Sequence, residues 1–246
     1  LRRVALLLAV AVAVVGCGAD NRGDQPRVVV SAAASMTGAL NGCAPLFGNV
    51  RLSFAGSDEL AAQIRQGVTP DVYAAANTKL PDALHDEGLL SAPVKFATNE
   101  LVLAVPKDSQ IGSVGDLGRK GLKLAIGSES VPIGSYTRET LAKLPAAEAK
   151  AILGNVRSNE PDVKGIVGKL TQGAVDAGFV YVTDVKAAHR ELRAIHLPPE
   201  VEPQVTYAAG VVNGAKQPAR ARAYLRDLLH GTCAAALRAA GFGPAP

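Results

Sequence analysis

Short β-branched apolar runs alternate with longer segments whose apolar residues recur at helical spacing along nearly the whole chain. This is the pattern of an α/β architecture with mainly parallel sheets. Residues 27–32 read as a strand, 36–46 as a helix, 50–55 as a strand, and 59–66 as a helix ended by Gly67. Residues 72–75 and 79–87 supply the next strand and helix, the latter stopped by Gly88. A second series has a strand at 123–126, a helix after Pro132, helices at 146–153 and 163–172, and strands at 178–182 and 192–196. Helices at 219–229 and 233–240 follow. Two further strand-like stretches, 100–106 and 207–212, lead from one series into the other and read as crossovers. Two crossovers make a hinge, with lobe I from 27–104 and 206–246, lobe II from 105–205, and a ligand cleft between them. A single continuous sheet is the alternative.

The first residues carry a different pattern. Arg2 and Arg3 precede an unbroken apolar run over 4–15, which closes on Val14-Val15-Gly16-Cys17. The run is short for a bilayer span, which takes about 20 residues, and suits a signal-peptide core. Its last four residues resemble a bacterial lipobox. That implies a lipoprotein signal peptide at 1–16, a diacylglycerol on the Cys17 thiol, and a flexible polar tether at 17–26. The protein is then expected at the outer face of the cytoplasmic membrane, held by its lipid. The competing reading is a buried N-terminal helix that contains a cysteine.

Composition narrows the chemistry. The 246 residues, 48% hydrophobic, suffice for two modest lobes. Aromatics are 4% and tryptophan is absent, which leaves little for a base-stacking surface or a sugar platform. The net charge of +4 includes Arg2 and Arg3, and the remainder is too small and dispersed for nucleic acid. The histidines are scattered and no Cys-x-x-Cys occurs, so no zinc site is expected. Cys43 and Cys233 would share an oxidising compartment. They form either a disulfide, restricting the unfolded chain by up to about 4–5 kcal/mol, or two separate buried thiols.

Ser35, Ser57, Ile133 and Val163 each stand at the start of a predicted helix just after a strand. Such a start offers unpaired backbone N–H groups and the positive end of the helix dipole, which suit an anion. A single serine there most often caps its own helix. The set of four is the signal.

Five motifs, in order over essentially the whole mature chain, resemble those of the substrate-binding proteins of molybdate ABC transporters. They are Ala32-Ala33-Ala34-Ser35-Met36-Thr37, the stretch from Phe54-Ala55-Gly56-Ser57 to Tyr73, Leu101-Val102-Leu103-Ala104-Val105-Pro106-Lys107, Val131-Pro132-Ile133-Gly134-Ser135-Tyr136, and Gly178-Phe179-Val180-Tyr181-Val182-Thr183-Asp184. The resemblance implies a two-lobed periplasmic-binding-protein fold of type II. It also implies a receptor that captures molybdate or tungstate and delivers it to the membrane permease of an ABC importer. The oxyanion would be held through its oxygens, with no direct ligand to the metal, by the hydroxyls of Ser35, Ser57 and Tyr181 and the backbone N–H groups of Ile133 and Val163. No catalysis, cofactor or nucleic acid is implied, and the protein is expected to be a monomer.

This sequence departs from the family pattern at two positions. Asp58 follows Ser57 where a small polar residue is usual, and Ile133 is larger than the alanine common at its place. A carboxylate beside the anion would repel it, so Asp58 has to point away or engage its own helix terminus, and Asp162 raises the same concern. Donors alone suit a fully deprotonated tetrahedral anion, because such a guest offers only acceptors. Sulfate differs chiefly in size and is the rival guest. An exported serine hydrolase is the rival of another class, but neither serine lies in Gly-x-Ser-x-Gly and no base is placed beside one.

Overall fold

The computed structural model describes residues 25–246; Cys17, the expected signal peptide at 1–16 and most of the expected tether lie outside the described residues. In chain order the strands are β1 (Val28–Ala33), β2 (Val50–Ala55), β3 (Val72–Ala75), β4 (Val94–Asn99), β5 (Leu101–Pro106), β6 (Leu124–Gly127), β7 (Val156–Glu160), β8 (Ala177–Tyr181), β9 (Leu192–His196) and β10 (Val205–Val211). The helices are α1 (Thr37–Phe47), α2 (Ser57–Arg65), α3 (Lys79–Asp86), α4 (Pro132–Ala142), α5 (Ala146–Gly154), α6 (Val163–Thr171), α7 (Val182–Ala187), α8 (Pro218–His230) and α9 (Thr232–Ala240).

The strands form two five-stranded sheets, ordered β2-β1-β3-β10-β4 and β7-β6-β8-β5-β9. Each sheet is the core of one lobe, and both follow one plan. Three strands run parallel (β2, β1, β3 in one, β7, β6, β8 in the other), and an antiparallel strand, β10 or β5, lies beside them. An edge strand, β4 or β9, pairs antiparallel to that one. The expectation of mainly parallel sheets is therefore corrected to mixed sheets. The stretches read as crossovers are interior strands, apolar because helices cover both their faces. The boundaries expected at 104 and 206 fall inside β5 and β10, each of which pairs whole within one sheet. The chain passes between sheets at Glu100 and again over residues 197–204.

Three elements were not anticipated. The edge strand β7, Val-Arg-Ser-Asn-Glu, alternates half-exposed and exposed positions before its buried last residue and carries too few apolar residues to stand out. The edge strand β4 buries only Phe96 and Ala97. Helix α7 is six residues long and starts at Val182, where a strand was expected to continue. In the first lobe, α1 and α9 pack together and carry the bonded Cys43 and Cys233, with Cα atoms 5.0 Å apart. In the second, a Cβ on Gly134 would lie 1.8 Å from the Ser128 carbonyl oxygen. Only glycine lets the start of α4 approach the end of β6 so closely.

Candidate functional site

A small cavity of about 10 Å3, partly open to solvent, lies between the lobes. Its wall is built from the carboxyl end of every parallel strand. Ala33 ends β1 and Ala34 and Ser35 follow it, Ala55 ends β2 and Gly56 and Ser57 follow it, and Ala76 follows β3. From the other lobe come Val131, Pro132 and Ile133 after β6, Asp162 and Val163 after β7, and Tyr181 at the end of β8. Six strand ends converge, as ligand sites in open α/β sheets do. The five residues singled out in the sequence, Ser35, Ser57, Ile133, Val163 and Tyr181, all line this one cavity.

Neither serine caps its helix. Ser35 sits in a 3-10 turn, Ala34–Met36, that leads into α1, and its Oγ lies 2.9 Å from the Tyr207 hydroxyl. Ser57 is the first residue of α2, after an extended Gly56. Its Oγ accepts the Ala76 N–H at 3.1 Å, while the buried Tyr73 hydroxyl donates to its carbonyl at 2.7 Å. The Ser57 proton is thereby free to donate elsewhere. Ile133 and Val163 lie in the first turns of α4 and α6, where N–H groups have no carbonyl of their own helix to bond. The extra bulk of Ile133 is absorbed by packing, since its side chain is buried against the Gly127 backbone.

Tyr181 is 1% exposed, and its hydroxyl has no hydrogen-bond partner among the described residues. Burial, then the neighbouring Tyr207 and Tyr136 phenols, holds that hydroxyl well above the ordinary tyrosine value, so it stays a donor at neutral pH. Burial likewise pushes Tyr136 up to about 12, opposed by the Thr206 backbone. A buried phenol without a partner is costly unless something else accepts its proton.

Each acidic neighbour has one carboxylate oxygen engaged within the protein. Asp58 is not part of the cavity wall; its Oδ2 accepts the hydroxyl of Ser130 from the opposite lobe, and it stands in the first turn of α2, where a negative charge is favourable. Asp162 does line the cavity. Its Oδ1 caps α6, accepting the N–H groups of Lys164 at 2.7 Å and Gly165 at 3.1 Å and leaving the Val163 N–H unused by the cap. Lys164 turns away to the buried Asp184, Nζ to Oδ1 2.9 Å. Burial raises the Asp184 carboxyl, and the Lys164 cation and the Tyr181 N–H oppose that rise. Among the described residues, no lysine, arginine or histidine lines the cavity. What favours an anion there is the converging helix starts of α2, α4 and α6, together with hydroxyl donors.

The local pattern missed several residues behind this wall. Tyr207 bonds the cavity residue Ser35 and the Ala76 amide bonds Ser57, while Asn99 bonds Tyr207 and Ser130 bonds Asp58, all across long separations in sequence. The one local signal was a polar-tipped tyrosine inside the mostly apolar, fully buried strand β10.

Two mixed sheets with a cavity at their facing strand ends define a two-lobed binding protein. A family model described as bacterial extracellular solute-binding protein matches residues 28–243, and the chain belongs to that family. The molybdate-binding protein ModA of Mycobacterium tuberculosis is 35% identical over 228 residues, covering 86% of this chain and 85% of that protein. Among solved structures, the Azotobacter vinelandii periplasmic molybdate-binding protein superposes with a TM-score of 0.78 at 21% identity, over 87% of this chain and 98% of the other. The sulfate-binding protein SubI from Mycobacterium tuberculosis reaches the same TM-score, 0.78, at 15% identity, over 89% of this chain and 87% of the other. At those identities the two structures speak to the fold alone.

Proposed function

We propose that this protein captures molybdate or tungstate outside the cytoplasm and hands it to the permease of an ABC importer. The observation that carries the reading is the buried Tyr181 hydroxyl, with no partner among the described residues, in a cavity that these residues wall with helix starts and serines and no cation. In this reading Ser35, Ser57 and Tyr181 donate hydroxyl protons, Ile133 and Val163 donate backbone N–H groups, and the guest is bound through its oxygens. Oriented donors in a water-poor cleft form charge-assisted bonds and need no reorganisation when the guest arrives. The 35% identity to a molybdate-binding protein supports the same guest. Sulfate is the second reading, favoured by the shared fold of a sulfate-binding protein, and the two guests differ chiefly in size.

Calorimetric titration of the monomeric chain from Gly18 onward, with molybdate, tungstate and sulfate, tests this. Molybdate and tungstate should bind tightly and compete, with sulfate far weaker, and each tight guest should raise the melting temperature. Equal or tighter binding of sulfate would move the assignment to the second reading, and no binding of any of the three would remove both. Lipid anchoring at Cys17 belongs to the same proposal. Cys17→Ser should move the protein from the membrane fraction to the soluble fraction, and retention on the membrane would count against a lipid anchor.

A further inference from the structure

We infer that Asn99 and Tyr207, neither of which lines the cavity, are positioning residues that fix the direction of the Ser35 hydroxyl and so make the site select oxyanions that carry no proton. The inference rests on the oxyanion reading above and adds to it the origin of one specificity.

The direction follows from one obligatory donor. The Glu100 backbone N–H bonds Asn99 Oδ1 at 2.9 Å, which fixes the way the Asn99 amide faces. Its Nδ2 then donates one proton to Thr183 Oγ1 at 2.9 Å and the other to the Tyr207 hydroxyl oxygen at 3.3 Å. Tyr207 is fully buried, and its ring is held by edge contacts with Phe96, Tyr181 and Phe242 at centroid distances of 6.1, 6.0 and 5.3 Å. Having accepted from Asn99, Tyr207 has one proton to give, and Ser35 Oγ lies 2.9 Å away. The reverse order would set a Tyr207 proton against an Asn99 amide proton. Ser35 therefore accepts from behind and keeps its own proton for the cavity that it lines. Ser57 reaches the same state by an independent route, through the Ala76 N–H.

A cavity whose hydroxyls all face inward as donors satisfies a guest with only acceptor oxygens. Hydrogen phosphate has the same charge and nearly the same shape, but its own proton then finds no acceptor among these hydroxyls. Asn99→Asp reverses the relay. A carboxylate takes the Tyr207 proton, Tyr207 takes that of Ser35, and Ser35 presents lone pairs to the guest. Tyr207→Phe cuts the relay and keeps the ring packing.

The test titrates wild type, Asn99→Asp and Tyr207→Phe with molybdate, sulfate and hydrogen phosphate, at a pH where phosphate is the dianion. All three guests then carry two negative charges, so the charge added by Asn99→Asp weakens them alike and the affinity ratio isolates hydroxyl direction. The preference for unprotonated over protonated guests should narrow about tenfold in Asn99→Asp, and by a smaller factor in Tyr207→Phe. Equal weakening of all three guests in both variants would overturn the inference, as would a wild type with no preference or with no binding at all. If Asn99→Asp fails to fold, the ratio in Tyr207→Phe decides. A wild type that binds sulfate and not molybdate defeats the proposed function alone, because the sulfate-to-phosphate ratio still reads the relay.

Discussion

In lobe I the cavity wall ends in two serine hydroxyls, each already hydrogen-bonded within its own lobe, Ser57 to the Ala76 N–H and Ser35 to Tyr207. In lobe II it ends in the helix-start amides of Ile133 and Val163 and in a phenol, Tyr181, with no partner among the described residues. One sheet plan thus carries two kinds of donor. The covalent arrangement differs as well. The first sheet draws on two separated stretches of chain, clamped by the bond between Cys43 and Cys233, whereas the second is one continuous run. Lobe I brings hydroxyls that are already bonded and ends that are tied, and lobe II brings to the cavity wall a phenol with no partner among the described residues.

Alkali should perturb this arrangement most. All five tyrosines, Tyr73, Tyr207 and Tyr224 in lobe I and Tyr136 and Tyr181 in lobe II, have phenols raised above the ordinary value of 10.0, in each case chiefly by burial. Above that pH the folded chain keeps protons that the unfolded chain has lost, so stability falls as pH rises through 10. The loss approaches about 1.4 kcal/mol per buried tyrosine per pH unit, several kcal/mol in sum. Phenolate absorbance should therefore appear only together with loss of ellipticity. A first step carrying most of the tyrosines would show lobe I yielding before lobe II. Phenolate formation near pH 10 with the fold intact would contradict the burial of these rings.

Reduction of the disulfide comes next. The bond spans 190 residues of sequence and encloses the whole of lobe II, yet both of its helices belong to lobe I. In the chain-entropy account its loss costs up to about 4–5 kcal/mol. The double variant Cys43→Ser, Cys233→Ser should lower the denaturant midpoint and expose the α1–α9 region to hydrogen exchange before lobe II. Uniform exchange across both lobes would mean that the clamp does not distinguish them.

Much of this layout was legible in the sequence because it is local. A strand followed by a small residue and a helix start is a contiguous pattern, and the residues it marked in both lobes reach one cavity. The pattern could not give strand direction, since a strand covered on both faces is apolar whether it runs parallel or antiparallel, as β5 and β10 show. Nor could it give the partners of Asp58 and Ser35. Ser130 lies 72 positions from the one and Tyr207 lies 172 positions from the other, and only the folded chain brings them within bonding distance. Asp58 stands in the first turn of its own helix and outside the cavity wall, but the partner of its Oδ2 came from the other lobe.

The sharpest contrast between the lobes is the smallest in energy. Ser57→Ala removes a hydroxyl that already serves the fold, leaving the buried Ala76 N–H without an acceptor, and should cost about 1–3 kcal/mol of stability. Tyr181→Phe removes a hydroxyl with no partner among the described residues, so stability should stay level or rise by up to about 1 kcal/mol. Both variants should weaken molybdate binding by roughly 1.5–3 kcal/mol, because each removes one charge-assisted bond to the guest. Denaturant melts with and without molybdate read both quantities at once. Equal destabilisation by the two variants would erase the distinction between a lobe with preset donors and one with a waiting donor. Wild-type affinity in Tyr181→Phe would take the phenol out of the site, and with it the reason for a buried hydroxyl in β8 to lack a partner.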